Sequence, residues 1–210
     1  MKPYISWLVL ILFSFASAAG AATYNVDFYD GTSQAIDQIY GDNTDADLSY
    51  RTPIGTSWGN VTSQTNGLLY HWLTGYGDLS GAVVSNTNNS HGEIRIDANT
   101  SGQAITLNSF DLGGFGSDRP ASFYVFDGGW NILASDATLT AFGPGGHITV
   151  SPAVTSSDGT LILQWGDNAY YVGLNNFNYT VSAVPLPAAL PLLLSGIVGL
   201  GLVGCKRRTA

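Results

Sequence analysis

Short runs that alternate apolar and polar residues, cut at intervals by glycine-containing turns, limit what this chain can fold into more than any other feature. Gly92-Glu93-Ile94-Arg95-Ile96-Asp97-Ala98 has a period of two, the repeat of a strand with one buried face. Asn25 to Tyr29, Ala104 to Leu112, Ser122 to Phe126, Trp130 to Ala134, Ile148 to Val150, Thr160 to Trp165 and Tyr170 to Val181 read as further strands. Asp127-Gly128-Gly129, between two apolar runs, predicts a tight hairpin, and Asp158-Gly159 another turn. With 26 glycines and little helical periodicity, the pattern predicts an all-β fold, a single β-sandwich of jelly-roll kind. Residues 37–89 break the rhythm. They are polar, glycine-rich and weakly periodic, so long loops are expected there, and loops of such length are usually functional or partly disordered.

The two ends do not belong to that domain. Residues 1–22 begin with the single cation Lys2, continue through the apolar stretch Ile5 to Phe15 and finish in small residues, the layout of a secretory signal peptide. Cleavage after Ala18, Ala21 or Ala22 satisfies the small-residue rule equally. At the other end, Ala189 to Gly204 is an uncharged run rich in Leu, Val and Gly, followed by Lys206-Arg207-Arg208. Lipid favours such a run as a transmembrane helix, and three adjacent cations resist crossing, so the basic stop is expected to stay cytoplasmic.

Between the ends lie residues 23–183, enough chain for one domain with its own core. All fifteen acidic residues fall there against three arginines, Arg51, Arg95 and Arg119, a formal charge of −12. A surface this acidic is a poor partner for nucleic acid or anionic lipid. The one cysteine, Cys205, sits at the end of the apolar run, so the exported domain has neither a disulfide nor a thiol nucleophile.

Residues 184–210 resemble a known class of bacterial sorting signal. Val184-Pro185-Leu186-Pro187-Ala188, the apolar run beginning with Leu190-Pro191-Leu192, and the basic end are similar to the C-terminal sorting domains of Pro-Glu-Pro type, in the variant whose motif is Val-Pro-Leu-Pro-Ala. The resemblance implies recognition by an exosortase at the inner membrane, processing near residues 184–188, and delivery to the cell surface or extracellular polysaccharide matrix of a Gram-negative bacterium. A second resemblance covers most of residues 37–180. Tyr40-Gly41-Asp42, Gly75-Tyr76-Gly77-Asp78-Leu79, Ile105 to Gly114, and Val172-Gly173-Leu174-Asn175-Asn176-Phe177 look like the exported domains that precede such tails. Those domains are similar to galactose-binding-like jelly rolls. Their last strand often carries an acid where this chain has Asn175, which weakens any calcium site between the first and last strands.

Three kinds of chemistry follow from the side chains. Asp42, Asn43, Asp45 and Asp47 are the densest oxygen cluster and the candidate calcium ligands, although the EF-hand spacing is absent; calcium is the one cofactor to consider. Trp58, Trp72 and Tyr76, with Tyr40 and Tyr70, offer flat apolar faces of the kind that stack on sugar rings. Catalysis has little to build on, with one glutamate, Glu93, three separated histidines at 71, 91 and 147, and no nucleophile elbow or phosphate loop. The expectation is a non-catalytic exported surface or matrix protein, with a calcium-dependent carbohydrate-binding module as the alternative.

Overall fold

A computed structural model of the chain describes residues 20–29, 33–55, 57–61 and 68–184. The expected signal peptide, the expected sorting motif from Pro185 onward, the apolar run and the basic stop lie outside the described residues, apart from the boundary residues 20–22 and Val184. Among the described residues there are twelve strands and no helix: β1 (Ala22–Val26), β2 (Ala46–Arg51), β3 (Leu69–Trp72), β4 (Ala82–Ser85), β5 (Gly92–Ala98), β6 (Gln103–Gly114), β7 (Arg119–Asp127), β8 (Ile132–Ala141), β9 (Ile148–Val150), β10 (Val154–Ser156), β11 (Thr160–Trp165) and β12 (Val172–Ala183). They form two sheets, paired antiparallel throughout. Sheet A runs β10-β6-β12-β4-β3, with β1 beside β4 on β12 and β9 beside β10 on β6; sheet B runs β2-β5-β11-β7-β8.

The alternation in sequence becomes a sandwich because each strand turns its apolar set to the other sheet. Ile94 and Ile96 of β5, Leu161, Leu163 and Trp165 of β11, and Phe123 and Val125 of β7 join Ile105, Leu107, Phe110, Leu112, Leu174, Phe177 and Tyr179 in one buried core. On β12 the inward residues change parity, from Val172 and Leu174 to Phe177, Tyr179 and Val181. On β6 they change from Ile105 and Leu107 to Phe110 and Leu112. Register irregularities between Asn175 and Tyr179 coincide with both switches, and Asn176 has φ 49° there. An extra residue on each strand is what keeps both halves facing the same core, since a one-residue slip would otherwise turn them to solvent.

The core also dictates where side chains cannot be. A Cβ on Gly92 would lie 2.1 Å from Cζ2 of Trp165, whose ring is fully buried and whose indole N–H donates to the Val172 carbonyl at 3.1 Å. The first residue of β5 is therefore glycine because a rigid indole occupies its side-chain space.

The expected strands at 92–98, 148–150 and 160–165 match β5, β9 and β11, and the 127–129 hairpin joins β7 to β8. Trp130 belongs to the turn, with φ 65°, and β8 extends seven residues past Ala134 to Ala141. The loops expected over residues 37–89 are a correction: β2, β3 and β4 lie there. β2 does alternate, with Ala46, Leu48 and Tyr50 buried, but its flanking turns are polar enough to dilute the pattern. β4 is buried on both faces, so Ala82-Val83-Val84-Ser85 has no alternation to detect.

Candidate functional site

The outer face of sheet A carries an aromatic hollow. β3 ends the strand order of sheet A, with Ala35 bridged to its Tyr70; its alternation turns Leu69 and His71 inward, and Tyr70 and Trp72 to the outer face. Tyr76 from the β3–β4 connection, Val84 of β4, Phe115 after β6 and Tyr170 before β12 complete a hollow of about 290 Å³, with Ser85 and Asn86 on its rim. Its floor is a small apolar cluster of Tyr76, Leu79, Ala82 and Val84, separate from the main core.

Tyr76 is the fixed point of that floor. It is buried, its ring centre lies 5.1 Å from that of Phe115, and its hydroxyl donates to the Tyr170 carbonyl at 2.6 Å. Burial drives its phenol far above the ordinary tyrosine range, so it stays neutral at any physiological pH. The ring rests on Gly173, where a Cβ would come within 2.8 Å of it and of Ala82. Trp72 stands at the opening, 42% exposed, with its ring edge-on to Phe115 at 6.5 Å. No hydrogen bond among the described residues occupies the Tyr70 or Tyr170 hydroxyl or the Trp72 indole N–H. Apolar faces with unspent polar edges are the composition expected of a small-ligand site.

Beside this hollow, His147 lies between two carboxylates. Its Nδ1 is 2.6 Å from Asp78 and its Nε2 3.8 Å from Asp111; Asp111 also accepts from the Thr149 hydroxyl at 2.7 Å and the Asn176 amide at 2.6 Å. The hydrogen bond to Asp78 raises the imidazole above its usual range and lowers the Asp78 carboxyl below its own. The three histidines, separated in sequence, thus differ in space. His71 and His91 are buried, each with Nδ1 on a backbone carbonyl, and burial lowers His91.

The predicted glycan residues do not all converge. Trp72 and Tyr76 share the hollow, whereas Trp58 packs at 3.8 Å on His91 and 4.6 Å on Tyr124 of sheet B. The buried Gln164 amide anchors the Trp58 loop through both backbone groups of Gly59, at 2.8 and 2.9 Å. Phe115 and Tyr170 carry no local mark in the sequence, because they reach the hollow only through the order of strands.

The candidate calcium residues close a turn. Asp42 accepts from the Leu48 amide at 2.6 Å, Asn43 accepts from the Asp45 and Ala46 amides at 2.9 and 3.1 Å, and Asp45 accepts from the Tyr24 hydroxyl. Asp47 projects from β2 opposite Asp97. The turn thus uses one oxygen each of Asp42, Asn43 and Asp45. Among the described residues, no group of three or more His, Cys, Asp or Glu is placed to hold a metal ion. Asn175 accepts from the Phe28 amide at 2.8 Å and donates to Asp27 at 3.1 Å. An amide does both; a carboxylate could only accept.

No family model and no curated protein matches the chain. Among solved structures it is similar in chain path to a CBM27 module of Caldicellulosiruptor saccharolyticus in complex with mannohexaose (12% identity over 75% of this chain and 96% of that one, TM-score 0.36). It is similar also to the CBM22-1 xylan-binding domain of Paenibacillus barcinonensis Xyn10C (10% identity, 70% and 100%, TM-score 0.37) and to a CBM35 from the same organism (21% identity, 77% and 98%, TM-score 0.30).

Proposed function

We propose that this chain is an exported, non-catalytic jelly roll of galactose-binding-like kind that contacts extracellular polysaccharide through the hollow on sheet A. The observation that carries this reading is the hollow itself: exposed Trp72 with Tyr70, Phe115 and Tyr170 around the buried Tyr76. At about 290 Å³ it suits one or two sugar units of a longer chain and would leave the rest in solvent, so weak, repeated contact is the expected mode. Calcium forms no part of this proposal; one oxygen each of Asp42, Asn43 and Asp45 serves the turn. The address belongs to the same proposal: an exosortase recognises Val184 to Ala188 and passes the domain to the cell surface or matrix.

Isothermal titration of the full-length chain, in mild detergent, against a panel of bacterial exopolysaccharides tests the reading. Binding is expected for at least one, and Trp72→Ala should weaken it by about 2 kcal/mol, roughly thirtyfold, as loss of a central aromatic anchor does. Flat titrations across the panel would remove a glycan-binding role.

A further inference from the structure

We infer that Arg119 makes a second subsite beside the aromatic hollow, one that takes the carboxylate of a uronic-acid unit; this rests on the glycan reading of the hollow. Arg51 is paired with Glu93 and Arg95 with Asp97, each through two nitrogens. Arg119 is the one described arginine with no carboxylate partner. It lines a groove of about 390 Å³ with Pro120, Asp167, Asn168, Tyr171 and Val172.

The geometry prepares the guanidinium for an anion without spending it. Nε and Nη2 donate to the Phe115 carbonyl at 3.3 and 3.1 Å, and the group lies over the Tyr171 ring, 4.6 Å from its centre. A guanidinium has five N–H donors in one rigid plane, so three remain. A planar carboxylate meets such a fork with two parallel charge-assisted bonds. The groove's own carboxylate, Asp167, accepts from the Ser122 hydroxyl at 2.8 Å.

Groove and hollow adjoin. Phe115 lines the hollow with its ring and holds Arg119 with its carbonyl; Tyr170 lines the hollow, Tyr171 the groove, and their rings are 4.9 Å apart. A chain lying across both places an apolar sugar face on the aromatics and a charged neighbour on Arg119. The domain's acidity opposes an anionic polymer at long range, but salt screens beyond about 8 Å at physiological strength, while the contact with Arg119 is immediate.

The test uses the full-length protein, oligogalacturonate, and the same oligomer with its carboxyls reduced to alcohols. Wild type should bind the acidic form about tenfold tighter than the reduced one, the size of one charge-assisted pair. Arg119→Met should bring the two within about twofold while keeping the reduced oligomer's affinity, and Trp72→Ala should weaken both. Equal binding of the two by wild type, or an unchanged preference in Arg119→Met, overturns the subsite and leaves the hollow standing. An equal loss for both oligomers in Arg119→Met makes Arg119 a prop for Phe115 and likewise overturns it. Should that variant fail to fold, Arg119→Lys, which keeps charge without the fork, must show a reduced preference or the inference fails. Binding of neither oligomer by wild type overturns the subsite, and the hollow with it if the exopolysaccharide titrations are flat as well.

Discussion

Glu93 shows how far a single residue depends on its neighbours. It lies on the outer face of sheet B with its side chain only 1% exposed, a placement that is costly for a charge unless partners compensate. Arg51 grips both carboxylate oxygens, and the Gln164 amide donates to one of them at 2.8 Å while also holding Gly59. Removing the arginine leaves the carboxylate buried without a countercharge. Arg51→Ala is therefore expected to destabilise the protein by about 3 kcal/mol in chemical denaturation, the low end for a broken buried pair because Arg51 itself is 29% exposed. Adding Glu93→Gln to that variant should recover most of the loss, since the orphaned charge is then gone. Failure to recover would mean that Arg51 acts through its packing near Trp130, whose ring centre is 5.8 Å from its guanidinium.

Among elements, the β3–β4 and β8–β9 connections hold each other. A Cβ on Gly77 would lie 2.0 Å from the Gly146 carbonyl oxygen, so the two backbones touch, and the pair His147–Asp78 ties them beside Tyr76. Because His147 is raised in the folded chain, its contribution is complete below the unfolded value of about 6.5 and fades as pH climbs through the folded one. Asp78 is depressed, so its share is present above about 3.9 and lost as pH falls through its folded value. The tie is strongest between those limits. The gap in melting temperature between wild type and His147→Gln should be widest near about pH 5.5 and close toward about pH 8.5. A gap that does not vary with pH would reduce His147 to packing. Both side chains are more than a third exposed, so the effect should be small and salt-sensitive.

At the scale of the whole molecule, a two-sheet sandwich sits between two segments read from sequence as export signals. Val184 donates its amide to the Gly102 carbonyl at 2.9 Å, so the motif begins directly where β12 ends. Ala22 pairs with Val181 as the first residue of β1. The mass of the mature protein released from cells reads both ends. A tail lost near residues 184–188 in wild type, and retained when Val184 to Ala188 is mutated, is the outcome expected of exosortase sorting. An intact tail in both would make the chain a plain membrane-anchored domain. An N-terminus beginning after Ala18 or Ala21 keeps β1 whole, whereas cleavage after Ala22 removes its first residue.

The sequence by itself determined the class of fold, because a period of two can bury only one face of a strand and turns must separate such strands. It located β5, β9 and β11 to the residue, and it marked Trp72 and Tyr76 as residues to examine. It could not show β4, whose two faces are both buried, or the parity switches on β6 and β12, since an extra residue is visible only against its partner strand. The site itself was decided by tertiary structure. Tyr76 and Tyr170 are 94 residues apart and meet through one hydrogen bond, and Arg119 differs from Arg51 and Arg95 only in what the fold puts beside it. Local sequence carries propensity and polarity; which side chains are left exposed, paired or unspent depends on the order of strands in two sheets, a long-range property that no window of residues contains.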